Sequence, residues 1–312
     1  MRINEIQPKF ASMQKYLIVI CGPTGIGKTK ISIEVAQHFK CEIISADSRQ
    51  VFKEMTIGTA VPAIYERKKV PHHFIQSHSI HDYYNASKFE QEVITFLKTY
   101  FDKNEIILMV GGSGLYINAV CDGIDDLPEI DMNIREKWQN LFKKKGVEFL
   151  QRRLKKIDPE YFNKVDTANP KRLLKAIEIF EMTGKPYSSF LRKEKIPRAF
   201  RVLKIGINTN RSTLYNRINE RVDQMMNAGL QDEAMSLFSY KNSTPLKTVG
   251  YKELFEYFEG KISLDDAIDQ IKNHSRSYAR RQLTWFRRDK AIIWFEPNDI
   301  QGIKKLIEES IC

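Results

Sequence analysis

The chain has 312 residues, with 50 Lys and Arg against 39 Asp and Glu, for a formal net charge of +11. Hydrophobic residues make up 42% and charged residues 29%, with 15 Gly and 11 Pro, a balance that excludes collagen-like, low-complexity and disordered chains and leaves room for two domains. No apolar run approaches the ~20 residues that cross a bilayer, and the four cysteines show no CxxC pair, so a cytoplasmic protein without a disulfide framework or a structural zinc is expected.

Taken in chain order, Tyr16–Cys21 (YLIVIC) is a short apolar run that leads into a glycine loop and then into the amphipathic KTKISIEVAQHF. This pattern predicts strand, loop, helix, and the absence of a small-residue cleavage site argues against a secretory signal. Further strands are predicted at Glu42–Ala46 and Glu105–Val110, the second ending on GGSGLY and opening another helix. Strands alternating with helices predict an α/β core whose parallel sheet is covered on both faces and binds ligands at its carboxyl edge. From Leu127 to Arg198 the strand pattern vanishes. IREKWQNLFKKKGVEFLQRRLKKI and PKRLLKAIEIFEMTGKPYSSFLRK have helical periodicity, with Gly146 and Gly184 as stops. Strand patterns return at Arg201–Asn208 and Ala291–Phe295. The expected architecture is a P-loop NTPase-like parallel-sheet core, residues 14–126 with 199–312, interrupted by a helical insertion at 127–198.

The charge follows this division. Residues 1–126 hold 14 basic and 14 acidic side chains, residues 127–198 hold 18 and 10, and residues 199–312 hold 18 and 15. The excess therefore sits mainly on the insertion, which fits either a solvated Lys-rich helical face or a polyanionic partner.

Gly22-Pro23-Thr24-Gly25-Ile26-Gly27-Lys28-Thr29 matches G-x-x-x-x-G-K-[ST] between a predicted strand and a predicted helix. Glycines let backbone N–H groups converge on a phosphate, and the helix adds its positive end. Lys28 is expected on the outer phosphate oxygens and the Thr29 hydroxyl on Mg²⁺. The loop specifies a di- or triphosphate and leaves open a kinase, an ATPase or an enzyme whose leaving group is diphosphate. Asp47 ends the second predicted strand and points into the same crevice. It could take a proton from a nucleophile, hold Mg²⁺ through water, or cap backbone amides of a turn.

GPTGIGKT, ISADSRQVFKEMTIGTAVP, VPHHF, VGGSGLY, RINERVDQMMNAGLQDEA, TVGYKEL and RSYARRQLTWFRRD follow one another in this chain. In that order they resemble the tRNA dimethylallyltransferase (tRNA isopentenyltransferase) family over residues 16–295. The resemblance implies transfer of a dimethylallyl group from dimethylallyl diphosphate to the N6 amine of adenosine 37, beside the anticodon, with release of diphosphate. It makes Gly22–Thr29 the diphosphate loop, Asp47 the base, and Thr24 a neighbour of the donor. Arg217 is the better motif match for an arginine on the diphosphate, with Arg221 one turn further on a similar face. It places tRNA against Asp47, Ser48, Arg49 and Gln50, against Ser113 where Thr is more usual, and against Arg135, Lys171, Arg172 and Lys175. Lys247, Gly250, Tyr251, Lys252 and Arg281 complete that border. A relative acting on free adenine nucleotides and a small-metabolite kinase are the competing readings. The expected protein is a monomer that uses Mg²⁺ and no membrane.

Adjacent histidines in a strand point to opposite faces, so His72 and His73 are expected to pack or hydrogen-bond and not to ligate metal. Trp285 and Phe286 are expected in a core. An adenosine in a stacked loop must be flipped out, at a cost of a few kcal/mol, which basic segments such as Lys143, Lys144, Lys145, Arg152 and Arg153 are suited to offset. Charge reversal of Lys143–Lys145 is expected to weaken tRNA binding and flatten its dependence on salt. An unchanged salt slope would assign these lysines to solubility.

Overall fold

Strand β1 (Tyr16–Cys21) is buried at every position, which is why its sequence is continuously apolar: helices cover both faces of the sheet it belongs to. The computed structural model describes residues 14–125, 127–128, 131–191 and 194–311, so residues 1–13 and Cys312 lie outside it. After β1 come α1 (Lys28–Phe39), β2 (Ile43–Ser45), α2 (Ile64–Arg67), β3 (His72–His73), α3 (Ala86–Tyr100), β4 (Ile106–Gly111) and α4 (Gly114–Asp122). The strand-free stretch holds α5 (Met132–Ile157), α6 (Pro159–Phe162) and α7 (Pro170–Thr183). The chain returns through β5 (Arg201–Ile207), α8 (Arg211–Asn227), α9 (Leu230–Ser236), α10 (Tyr251–Phe258), α11 (Leu264–Phe286), β6 (Ile292–Phe295) and α12 (Ile300–Ile311).

All strand pairs are parallel, in the order β3-β2-β4-β1-β5-β6. On one face α1 and α12 bring Ile31, Val35, Ile303 and Ile307 against Ile18, Ile20 and Ile205. On the other, α3 and α4 bring Phe89, Val93, Leu97 and Ile117 against Leu17, Val19 and Met109. Each fully enclosed Leu, Ile or Val side chain contributes about 1.5–3 kcal/mol through burial. A third cluster joins Val51, Phe52 and Met55 to α9, α10 and α11, with Tyr251 and Leu254 wholly enclosed. This cluster supports the loop that leaves β2.

Contacts divide the chain into Met1–Asp122 with Pro197–Cys312, and Gly123–Ile196. In the second unit Trp138, Leu150, Leu154, Leu173 and Ile177 form a small core of their own. Gly146 breaks α5 at φ 74°, and Gly184 caps α7 at φ 69° in the left-handed region that glycine tolerates. Both are the stops that the periodicity predicts. Trp285 differs from expectation, since its indole is 38% exposed and lies over Gly114, while Phe286 is buried. His72 Nδ1 lies 2.8 Å from the Val70 carbonyl and His73 Nε2 lies 2.6 Å from Glu42, so both rings are spent on local hydrogen bonds. Burial pushes the Cys21, Cys41 and Cys121 thiols up to about 12. Among the described residues no helix is long and apolar enough to cross a membrane.

At the carboxyl edge β2 and β4 come so close that a Cβ on Gly111 would lie 2.1 Å from the Ala46 carbonyl oxygen. Gly111→Ala is therefore expected to lower stability by about 1–3 kcal/mol, read from the urea midpoint, and to displace Asp47, the next residue along. A midpoint equal to that of the parent would show that the two strands can separate freely.

Candidate active site at the carboxyl edge of the sheet

The loop after β1 curls as the glycine spacing requires. Gly25 and Gly27 take φ values of 78° and 97°, and Gly27 forms the cap from which α1 starts. Gly25 also has no room for a side chain, because a Cβ there would come within 2.8 Å of Ile218 on α8. Lys28 folds back over the loop and donates to the Gly22 and Pro23 carbonyls, each at 2.9 Å. Desolvation first, and the nearby Arg221 guanidinium second, push the Lys28 ammonium down to about 8, with Asp47 opposing them. Ile26 turns its side chain into the core. The loop is latched from α11: the Thr24 N–H donates to Gln282 Oε1 at 2.9 Å, and Gln282 Nε2 donates to the Gly112 carbonyl at 2.9 Å.

Asp47 leaves the end of β2. One of its oxygens accepts from the N–H groups of Arg49 (2.9 Å) and Gln50 (3.3 Å), so it caps the turn that the DSRQ segment makes. The Ser48 N–H donates to the Ser113 hydroxyl at 3.0 Å, which joins this turn to the loop after β4. Gln50 accepts from Ser45 and donates to the carbonyls of Thr59 and Ala60, holding the 58–60 backbone beside the turn. That segment is fixed a second time by Glu233, whose carboxylate accepts from the Thr56, Ile57 and Gly58 N–H groups and from the Tyr251 hydroxyl. The burial of Tyr251 and its bond to Glu233 both hold its phenol protonated.

These segments enclose a cavity of about 650 Å³. Thr24, Gly25, Gly27, Lys28 and Thr29 form one wall, Asp47 to Gln50 a second, and Lys247, Gly250, Lys252 and Arg281 a third. Arg221 enters from α8 and donates to Thr24 Oγ1 at 3.2 Å. Desolvation lowers its pKa, with Asp47 acting in the opposite sense. Tyr278 lines the same wall as Arg281, whose guanidinium lies 5.7 Å from the ring centre. Desolvation, with Asp47 adding to it, pushes the Tyr278 phenol up to about 12. One cavity thus combines a phosphate loop, two cations beside it, a carboxylate and a basic rim.

The model of the IPP transferase family matches residues 50–289. The chain belongs to this family. It is 51% identical over 284 residues to a tRNA dimethylallyltransferase of Christiangramia forsetii, covering 91% of this chain and 94% of that protein. It is 47% identical over 297 residues to tRNA dimethylallyltransferase 1 of Bacteroides fragilis, covering 95% and 99%. Among solved structures, the full-length tRNA isopentenylpyrophosphate transferase of Bacillus halodurans superposes with a TM-score of 0.71 at 34% identity, over 96% of this chain and 97% of that one. A eukaryotic dimethylallyltransferase acting on tRNA superposes with a TM-score of 0.75 at 26% identity, over 92% of this chain and 75% of that one.

The structure places the two arginines differently. Arg217 is exposed and donates to the Ile26 carbonyl at 3.3 Å, outside the cavity lining, whereas Arg221 faces Thr24 within it. They are four residues apart on α8 and meet the loop at different points. Tyr251 requires a correction: its side chain is wholly buried and its hydroxyl is committed to Glu233, so it does not present to a nucleic acid. Ser113 is also buried, with its hydroxyl against the Ser48 N–H. In the Gly123–Ile196 unit, Lys171 and Arg172 are exposed at the start of α7. Arg135 lies 3.6 Å from the buried Glu178, and Lys175 is desolvated beside them, which lowers its pKa.

Sequence reasoning overlooked Gln282, Glu233 and the pair Glu253–His274. A signal for Gln282 existed, because it falls on the buried stripe of α11 marked by Ile271, Ala279 and Phe286, where an amide must find partners. Gln282→Ala strands the Thr24 N–H and the Gly112 carbonyl. The variant is expected to lose about 1–3 kcal/mol of stability and to bind inorganic pyrophosphate more weakly in calorimetry. Pyrophosphate affinity unchanged in the variant would show that the loop holds its shape without the latch.

Proposed function

We propose that the protein transfers a dimethylallyl group from dimethylallyl diphosphate to the N6 amine of adenosine 37 in tRNA, releasing diphosphate. The coarser statement, a dimethylallyltransferase of the tRNA-modifying family, follows from membership of that family. The observation that carries the finer reading is the single cavity in which Thr24, Lys28, Thr29 and Arg221 share walls with Asp47 and with Lys247, Lys252 and Arg281. A small diphosphate needs the first group alone. The basic rim suits a ligand with many phosphates, which favours tRNA over a free nucleotide or a small metabolite.

In the reaction N6 attacks C1 of the dimethylallyl group, the C1–O bond breaks, and its electron pair leaves on the diphosphate. The N6 proton passes to Asp47, whose carboxylate lines the cavity at the end of β2. Loop N–H groups, Lys28 and Arg221 stabilise the charge that develops on the leaving oxygen. Desolvation depresses Lys28 and Arg221, so an arriving anion is matched by cations that have already lost much of their water. The residues present fit Mg²⁺: the Thr29 hydroxyl and the Asp47 carboxylate, both oxygen donors, line one cavity. Bound there, Mg²⁺ supplies Lewis-acid neutralisation of the leaving group.

Incubation with Mg²⁺, labelled dimethylallyl diphosphate and either unmodified tRNA or AMP, ADP and ATP tests the reading. Label is expected on tRNA alone; label on free nucleotides, or ATP consumption without prenyl transfer, overturns it. Asp47→Ala is expected to lower turnover by ~10²–10⁴ while tRNA still binds. Full turnover in that variant would remove Asp47 from the chemistry and leave it as a turn cap.

A further inference from the structure

Glu253 lies in the first turn of α10, 1% exposed, beneath the third wall of the cavity. Its Oε2 accepts the Gly250 N–H at 2.8 Å, and its Oε1 lies 2.7 Å from His274 Nδ1 on α11. A buried carboxylate has to be matched by donors, and an ionised one only accepts, so Nδ1 carries the proton. The orientation of the ring is thereby set. His274 is 42% exposed and lines the cavity, so the edge bearing Nε2 is the one left to face a ligand.

The charged groups on the elements around the ring are mostly cationic. The turn before α10 brings Lys247, and α10 brings Lys252 besides Glu253. From α8 come Arg221 and Asp223, the latter held by Lys272 at 2.6 Å, and α11 itself adds Tyr278 and Arg281. Of the two carboxylates lining the cavity, Asp47 caps its own turn and Glu253 is bound to Gly250 and His274. A ligand reaching this wall therefore meets donors and cations. With Nδ1 fixed on Glu253, Nε2 is an acceptor in the neutral ring and a donor in the protonated one. Only the protonated ring matches an anion.

We infer that His274, oriented by Glu253, is a contact for the substrate RNA, donating from Nε2 to an anionic oxygen of the phosphodiester backbone. The inference rests on the tRNA reading above. No residue of the Asp47 or Lys28 walls is involved, so His274 acts on binding and not on the prenyl transfer step. Glu253 is a positioning residue that acts through it, and the same carboxylate closes the α10 turn. Binding an anion to the protonated ring takes up a proton, so tRNA affinity falls as pH rises.

The test measures tRNA binding and steady-state prenyl transfer by the full chain at about pH 6 and about pH 8. The parent protein is expected to bind tRNA more tightly at the lower pH. His274→Ala is expected to raise the tRNA Kd and KM about 3- to 10-fold at the lower pH and to flatten the pH dependence. Its kcat and its KM for dimethylallyl diphosphate should stay within about twofold of the parent. His274→Lys keeps a cation at the wall and is expected to bind tightly at both pH values. Parent-like Kd values in His274→Ala at both pH values, or a fall in kcat at unchanged Kd, overturns the inference. A parent protein that transfers no prenyl group to tRNA overturns the tRNA reading itself, which separates the two failures.

Discussion

One buried amide, that of Gln282, joins the three segments on which the site is built. It accepts from the Thr24 N–H in the loop after β1 and donates to the Gly112 carbonyl in the loop after β4. A Cβ at Gly112 would lie 2.2 Å from its nitrogen, so the two glycine loops and α11 are fitted to one another with no spare space. The physical problem it solves is general. Loops at the carboxyl edge of a parallel sheet carry backbone groups that the strands no longer pair, and a buried unpaired group costs about 1–3 kcal/mol. A glutamine, with both a donor and an acceptor on one rigid plane, pairs one group from each loop. Since α11 also carries Tyr278 and Arg281 to the cavity, the same amide sets the basic wall relative to the phosphate loop.

Around this clasp the acidic residues divide into two kinds by the donors they gather. Glu233 and Glu253 are organisers: the first gathers three backbone N–H groups and a tyrosine hydroxyl, the second a backbone N–H and a histidine. Their charges are consumed by these donors. Asp47 is half-buried and lines the cavity, and it raises the pKa values of Lys28 and Arg221 against the desolvation that depresses them. The cavity therefore presents one carboxylate among cations, an arrangement that holds an anion and leaves a single base beside it.

The fold was legible where the physics is local. β1, β2 and β4 were readable because buried parallel strands are continuously apolar, and Gly146 and Gly184 because left-handed backbone demands glycine. The glycine loop and the placement of Asp47 at the end of β2 were readable because both depend on adjacent residues. Gln282, Glu233 and Glu253 were not, since each acts on partners that lie far along the chain: Gln282 reaches back to Thr24, Glu233 to Thr56–Gly58, and Glu253 forward to His274. Tyr251 was misread for the related reason that a motif reports which residues recur together and not which way they point. Its neighbours Gly250 and Lys252 do line the cavity, while its own ring turns inward beneath Gly58.

The distinction between Arg217 and Arg221 follows the same logic one step further. Residues four apart on a helix share a face, but a helix that passes a cavity at an angle brings only one of them to it. Gly25 packs on Ile218, one residue after Arg217 and three before Arg221, so the closest approach of α8 to the phosphate loop falls between the two. On one side of that contact Arg217 grips the outer surface of the loop through the Ile26 carbonyl; on the other, Arg221 reaches the inner surface through Thr24. The loop is held between them. One arginine braces the loop from outside and the other meets it from within, and only the inner one lines the cavity.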